Sequence, residues 1–243
     1  MHDGAPRPAQ TSCIAAGLFI LLASSFAAAD PGPGDCVGVD FEVQHPVTIA
    51  KIIADKPQVH FVKNASDKAA CPAEVGDCQD NAYLVPGDLM LVGKTHGAYS
   101  CVSYQSAADR TQQWAIGWVR STSLTPVSPT QSPSRVDWIG VWIRAGGKIA
   151  IRTGPRGRLR ISGEAVYPAA ESVHNGVLRA TVTPSNGMLQ FADNGTSAFD
   201  QASADAGDCL VRMQRLADLL VAQDNERCGG MMVTFTGFYR RKR

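Results

Sequence analysis

Short runs of apolar and β-branched residues, separated by turn residues, recur through the first half of the chain. They lie at 47–53, 59–62, 89–92, 99–104 and 114–119. The run at 99–104 alternates apolar and polar residues, which is the two-residue period of a strand. No segment here holds the 3.6-residue apolar period of a helix for long enough to form one. The pattern therefore predicts a first module of short strands, residues 36–124.

The second half of the chain has the same pattern, and it predicts about eight further strands. The segments are 138–143, 148–152, 158–162, 177–183, 188–191, 209–216, 219–222 and 231–240. Strands at such turn spacings favour a small antiparallel barrel or sandwich over residues 135–243. The segment 209–216 also fits a helix, because Leu210, Met213 and Leu216 would share one helical face. We favour a strand there, because a second apolar run follows at hairpin distance.

A proline-rich stretch separates these two regions. Residues 125–134 contain three prolines and no charged residue. Such a sequence is typical of a semi-extended linker. We therefore predict an all-β chain with a domain boundary in this stretch.

The first 29 residues have the features of a secretory signal peptide. Arg7 precedes an apolar stretch at 13–26, and Ala27, Ala28 and Ala29 then supply the small residues that signal peptidase requires. The apolar stretch is shorter than the roughly 20 residues of a membrane span. We predict cleavage after Ala29 and a periplasmic or secreted protein without a membrane span.

The cysteine count fits export. One of the seven cysteines, Cys13, lies in the signal, and six follow it: Cys36, Cys71, Cys78, Cys101, Cys209 and Cys228. An even number in an oxidising compartment indicates disulfides, and the absence of any Cys-x₂-Cys pair argues against a metal site. Cys209 and Cys228 bracket the predicted hairpin and should be bonded. The other four allow three pairings, of which we favour Cys71–Cys78 and Cys36–Cys101.

Charge is distributed unevenly although the net charge is only +1. Six basic residues between 144 and 160 have no acid among them, and three of them, Arg152, Arg158 and Arg160, are candidate binding residues for an anionic partner. On a strand, Arg158 and Arg160 would share the outward face while Leu159 points inward. The alternative interpretation is a solvated face with no partner.

Three motifs of the first module resemble those of bacterial Src-homology-3-like (SH3-like) domains. They are 86–89 (Pro-Gly-Asp-Leu), 97–102 (Gly-Ala-Tyr-Ser-Cys-Val) and 117–119 (Gly-Trp-Val). The resemblance implies an SH3-like small barrel that serves as a binding module of a cell-envelope protein. It also implies Tyr99, Tyr104 and Trp118 as candidate groove residues, although Trp118 and one tyrosine could instead be core residues.

The second module has weaker resemblances. Its Gly140-Val141-Trp142 motif resembles the first strand of calycin, or lipocalin-like, barrels, which implies that Arg240 or Arg241 stacks on the tryptophan. Residues 209–240 are similar to exported bacterial domains without a known activity. The segment 162–167 resembles a motif of periplasmic lysozyme inhibitors.

The sequence contains no recognisable catalytic motif. It has no G-x-S-x-G, H-E-x-x-H or P-loop pattern, and we expect neither an enzyme nor a cofactor. The preferred hypothesis is a non-catalytic periplasmic or cell-surface binding protein, whose partner is an envelope protein, a peptide or a cell-wall polymer and not a nucleic acid. An inhibitor or regulator of a cell-wall hydrolase is the alternative, and a wall-acting enzyme is the third choice.

Overall fold

The computed structural model describes residues 32, 34–53, 55–106, 114–169, 172–193 and 198–242. The predicted signal peptide, with Cys13 and its cleavage point at Ala29, lies outside the described residues. From residue 32 onward, the described residues belong to one compact unit.

Seven antiparallel strands form the first sheet, in the order β3-β2-β6-β5-β4-β1-β7. The central strand β5 is almost wholly buried, whereas the edge strand β3 is mostly exposed. The three motifs that resemble SH3-like domains lie on or just before β4, β5 and β6, which are neighbours in this sheet. The strands are β1 (Thr48–Ile52), β2 (Val59–Val62), β3 (Gln79–Leu84), β4 (Leu89–His96), β5 (Tyr99–Tyr104), β6 (Ala115–Arg120) and β7 (Leu124–Pro126).

Eight antiparallel strands form the second sheet, in the order β11-β10-β9-β8-β15-β14-β13-β12. Its two edge strands approach each other, and the backbone N–H of Arg179 donates to Asp193 Oδ1 across the gap at 2.6 Å. The sheet is therefore nearly closed into a barrel, and the predicted all-β fold of two antiparallel sheets is confirmed. The elements are α1 (Arg135–Trp138), β8 (Gly140–Arg144), β9 (Gly147–Thr153), β10 (Leu159–Pro168), β11 (Val173–Val182), β12 (Met188–Ala192), α2 (Gln201–Asp205), β13 (Leu210–Leu216), β14 (Leu219–Asp224) and β15 (Gly237–Arg241).

The inside of the barrel is filled by apolar side chains. Leucine, isoleucine and valine from alternate strand positions pack there with large aromatics. The largest members are Trp138, Trp142, Phe235 and Tyr239, all with no exposed surface. The barrel interior is therefore a packed core.

The outer face of β13 and β14 is also covered, so every residue of these two strands is buried. Leu216, Leu219 and Val221 pack against Ile49 and Leu91 of the first sheet. The predicted linker at 125–134 begins inside β7, and the backbone N–H of its Thr130 donates to the carbonyl of Arg215 at 2.8 Å. The two sheets thus share an apolar contact surface.

Two segments differ from their predicted strands. Residues 135–138 form the short helix α1, and the strand begins only at Gly140. Most of the strand predicted at 231–240 is an irregular loop, because the carboxylate of Asp224 accepts from the backbone N–H of Phe235 and from the hydroxyls of Thr234 and Thr236. The segment 210–216 is a strand, as preferred over the helical alternative.

The three disulfides are the predicted pairs. Cys36–Cys101, Cys71–Cys78 and Cys209–Cys228 have Cα–Cα distances of 5.2, 5.5 and 4.7 Å. These distances lie within the usual range for bonded cysteines.

The turn between β11 and β12 lies directly against the linker. Asn186 and Gly187 both have positive φ, at 50° and 71°, which is typical of a tight Asn-Gly hairpin turn. A Cβ on Gly187 would lie 2.2 Å from the carbonyl oxygen of Gln131. Glycine is therefore required here for space as well as for backbone conformation.

Replacing Gly187 by alanine should destabilise the protein by about 1–3 kcal/mol, the usual cost of overpacking. Gly97→Ala is the matched control, because Gly97 also has positive φ, at 55°, but a Cβ added there would meet nothing within 4 Å. Urea unfolding should therefore give a smaller loss for Gly97→Ala. Equal losses would mean that the linker contact contributes nothing.

Candidate functional site

The three aromatic candidates of the first module do not form one open groove. Trp118 has no exposed surface and Tyr99 is 7% exposed, and both pack against the Cys36–Cys101 disulfide. They therefore belong to the core of the first sheet. Only Tyr104 reaches a surface depression.

Tyr104 lines a cavity of about 380 Å³ between the two sheets, opposite Phe238 and Arg240. Its hydroxyl donates to Asp88 Oδ1 at 3.1 Å. Burial, with a further contribution from the Asp88 charge, raises the pKa of Tyr104. At neutral pH this hydroxyl is therefore a hydrogen-bond donor.

The basic candidates lie together on the outer face of β9, β10 and β11. Arg152 and Arg160 are direct register partners on neighbouring strands, and Arg158 lies at the start of the same face. All three side chains are exposed, while Leu159 and Ile161 point into the barrel. We call the surface of Arg152, Arg158, Arg160 and Arg179 the arginine face.

Arg179 was not predicted from the sequence, because it is distant in the chain from the basic cluster. It is exposed on β11, opposite Ser162 of β10. The sequence did contain a signal for its exposure: Arg179 lies in the alternating segment 177–183, and alternate residues of a strand face outward.

The arginine face has little internal compensation of its charge. Among the described residues, the ion pair on these strands joins Lys148 to Glu164 at 2.9 Å, and no ion pair involves Arg152, Arg158 or Arg160. The charge of Arg179, by contrast, interacts with the carboxylate of Asp193. Arg158 donates to the backbone carbonyl of Thr181, which leaves its positive charge unneutralised. Like charges directly opposite each other on antiparallel strands are destabilising, and a bound carboxylate or phosphate would relieve that repulsion.

One end of the barrel is closed by Trp142 and two arginines. The guanidinium carbons of Arg215 and Arg241 lie 4.3 and 4.8 Å from the centre of the Trp142 ring. The predicted stacking by Arg241 is confirmed, whereas Arg240 lines the cavity beside Tyr104. Arg215 was missed, because on a strand its charge suggests a solvent-facing position. The calycin resemblance itself stays a prediction.

A buried arginine fixes the segment that precedes β1. Arg212 is 1% exposed, and its guanidinium carbon lies 5.7 and 5.0 Å from the ring centres of Phe41 and Phe199, which contact each other edge to face. It donates to the backbone carbonyls of Glu42, Val43 and His45. Burial lowers the pKa of Arg212 to about 10, so it remains charged at neutral pH.

A larger cleft, of about 1230 Å³, lies beside this segment. One wall is formed by residues 37–45, and the other by residues 224–236 of the barrel. Tyr167, the last residue of the segment that resembles lysozyme inhibitors, also lines it. No motif in the sequence indicated this cleft, because its walls come from distant parts of the chain.

Comparison of the chain with protein-family models, curated proteins and solved structures gives no match. In the part of the chain that the structure describes, no helix is long and apolar enough to cross a membrane. Within the same residues, no group of three or more His, Cys, Asp or Glu side chains is placed to hold a metal ion.

Proposed function

We propose that this chain is a non-catalytic binding protein of the bacterial envelope, and that its arginine face binds an anionic partner. The observation that carries the proposal is the direct cross-strand pairing of Arg152 with Arg160, both exposed. A protein without an anionic partner would gain stability by placing an acid at either position. Three disulfides fit an oxidising compartment.

The chemistry of the face favours carboxylate or phosphate groups. A guanidinium presents a planar fork of N–H donors that matches the two oxygens of such groups. Several arginines on neighbouring strands would bind a polymer with repeated charges better than a single small anion. A cell-wall polymer, or an acidic surface of an envelope protein, has this property.

Reversing Arg158 and Arg160 to glutamate should weaken binding to isolated peptidoglycan sacculi by at least roughly tenfold, since each close charge interaction lost costs about 1 kcal/mol or more. Folding should survive, because exposed substitutions usually change stability by less than about 0.5 kcal/mol. Binding of the unmodified protein should also fade with salt, as the Debye length falls from about 10 Å at 0.1 M to about 3 Å at 1 M. Co-sedimentation with sacculi measures both effects.

The matched control is Lys51→Glu with Lys56→Glu, which makes the same change in charge at exposed positions of the first module. It should leave sacculus binding nearly unchanged. Salt-independent binding by the double arginine variant at the original affinity would remove the arginine face from consideration. Loss of binding in Tyr104→Ala alone would instead favour the cavity beside Tyr104.

The second candidate function is inhibition of a cell-wall hydrolase. It is favoured by the position of the segment 162–167, whose Ser162 and Glu164 are exposed on the same side of β10 as Arg160. Lysozyme digestion of sacculi in the presence of the protein separates the two functions. The amount of an inhibitor needed to slow digestion would depend on the amount of lysozyme. The amount of a wall-binding protein needed would instead depend on the amount of sacculi.

A further inference from the structure

The large cleft between residues 37–45 and 224–236 differs from the arginine face in both polarity and charge. We call it the methionine cleft, after Met231 and Met232 on its rim. Met231 is 75% exposed and Met232 is 66% exposed. Among the large hydrophobic residues that the structure describes, Val136, at 68%, is the third with comparable exposure. Such exposure of neighbouring apolar side chains is typical of an interaction surface.

The loop that carries the two methionines is held firmly in place. Gly229 pairs with Gly176 of β11, and Gly230 donates to the carbonyl of Asn175 at 3.1 Å. The carbonyl of Met231 contacts His174 Nδ1 at 2.6 Å. The preceding Cys228 is bonded to Cys209. The methionines are therefore presented to solvent by a fixed backbone, and their exposure is not the result of an unanchored loop.

Methionine side chains suit this position if the partner is variable in shape. They are unbranched and polarizable, so they adapt to different apolar surfaces. Tyr167 and Ile116 extend the apolar lining into the cleft, and Ile116 is 45% exposed. Together with the two methionines, these side chains could contact the apolar face of a peptide several residues long.

The charges around the cleft are mainly negative. Four exposed carboxylates line it, from Asp40, Glu42, Asp205 and Glu226, and one of them, Glu42, contacts Nδ1 of His45 on the same lining at 2.8 Å. Among the described residues that line the cleft, Arg227 supplies the exposed guanidinium. Arg144 also lines the cleft, but it is half-buried and donates to the carbonyls of Ala145 and Thr234. A cationic partner is therefore favoured over an anionic one.

We propose that the methionine cleft binds a cationic amphipathic peptide segment. The apolar rim would take the apolar face of the peptide, and the carboxylates would pair with its lysines or arginines. The volume of about 1230 Å³ exceeds the about 300–1,000 Å³ typical of small-molecule sites and suits a peptide. An anionic lipid surface does not fit, since the carboxylates would repel its headgroups.

The test is fluorescence anisotropy with a short, labelled peptide of lysine and leucine in an amphipathic pattern. A lysine–serine peptide of equal charge and a glutamate–leucine peptide of equal hydrophobicity serve as probes of the two contributions. Both should bind at least roughly tenfold more weakly, because each keeps only one of the two interactions. Equal binding of all three would overturn the proposal.

The protein variants separate the rim from the charges. Met231→Ser with Met232→Ser should weaken binding of the lysine–leucine peptide at least fivefold, with Val136→Ser as the exposed apolar control. Glu226→Lys should also weaken it, with Asp55→Lys as the control, because Asp55 is exposed and lies outside the cleft. A Met231/Met232 variant that binds as tightly as the unmodified protein would exclude the cleft.

A second copy of this chain is the other occupant to be distinguished. If no peptide binds, and sedimentation shows a dimer that the Met231/Met232 variant abolishes, the cleft is a self-association surface and the peptide proposal is wrong. The Arg158/Arg160 variant should retain peptide binding. Failure of the peptide experiment therefore leaves the proposed function of the arginine face untouched.

Discussion

Removing the Cys36–Cys101 disulfide by double substitution to alanine should lower the free energy of unfolding by about 4 kcal/mol. The two cysteines are separated by 65 residues in sequence. In the chain-entropy model, a crosslink that closes a loop of this length removes about 4 kcal/mol of conformational freedom from the unfolded chain. That is a large part of the roughly 5–15 kcal/mol stability of a typical domain. Equilibrium unfolding in guanidinium under non-reducing conditions measures the loss.

The position of this disulfide gives a second reason for a large effect. Cys36 precedes β1 in a segment without regular strands, and Cys101 lies at the buried centre of β5. Both cysteines pack against Tyr99 and Trp118. Without the bond, the segment that forms one wall of the methionine cleft would depend on the hydrogen bonds from Arg212 and Gln223 and on the contact of Cys36 with Asn64.

The Cys71–Cys78 pair is the matched control, because it closes a loop of only 7 residues. The same model gives about 2 kcal/mol for it and about 3 kcal/mol for Cys209–Cys228, which spans 19 residues. The three double variants should therefore rank by loop length. A larger loss for Cys71–Cys78 than for Cys36–Cys101 would show that native-state contacts, and not loop length, determine the contribution of each bond.

The strands that the sequence predicted well are rich in apolar residues and are almost wholly buried in the structure. The strand β5 has the predicted bounds, 99–104, and the hairpin of β13 and β14 was placed within two residues. Here apolar residues recur at every second position or in short continuous runs. Such patterns depend only on near neighbours in the chain, so the sequence alone reveals them.

The strands that were missed have few apolar residues. β3 (Gln79–Leu84) is an exposed edge strand with a polar sequence, and it forms because β2 offers it a hydrogen-bonding partner. The hairpin of β10 and β11 extends well beyond the predicted segments, to Pro168 and back from Val173, for the same reason. Backbone pairing between two strands leaves no hydrophobic signal in the sequence of either strand.

The candidate sites were predictable only in part. The arginines of β9 and β10 were found because they are close in sequence and alternate with apolar residues. The burial of Arg212 and Gln223 was not predicted from the sequence, because polar residues at alternate positions of a strand normally face water. In the structure these two positions are covered by residues 40–45, to which both side chains donate hydrogen bonds. The methionine cleft depends on the same long-range contact.

Replacing Trp142 by alanine should destabilise the protein by about 3–5 kcal/mol, the usual cost of truncating a buried tryptophan. The indole is fully buried, and its Nε1 donates to the carbonyl of Trp138 at 2.9 Å. Its removal would also leave Arg215 and Arg241 without the ring on which both are stacked. Burial of Arg215 and the neighbouring charge of Arg241 lower the pKa of Arg215, against the opposing charges of Asp137 and Asp218. Thermal and urea unfolding measure the total loss.

A double-mutant cycle separates the cation–π contribution from the loss of packing. Arg241→Met keeps most of the length of the side chain and removes its charge, so it should cost more in the unmodified protein than in the Trp142→Ala background. The expected coupling is about 0.5–2 kcal/mol, the range for cations stacked on aromatic rings. Arg240→Met is the control, because Arg240 lies next in sequence but on the cavity beside Tyr104. Strict additivity between Trp142 and Arg241 would mean that the stacking of Arg241 on the indole stabilises nothing, and that Arg241 contributes through its other contacts alone.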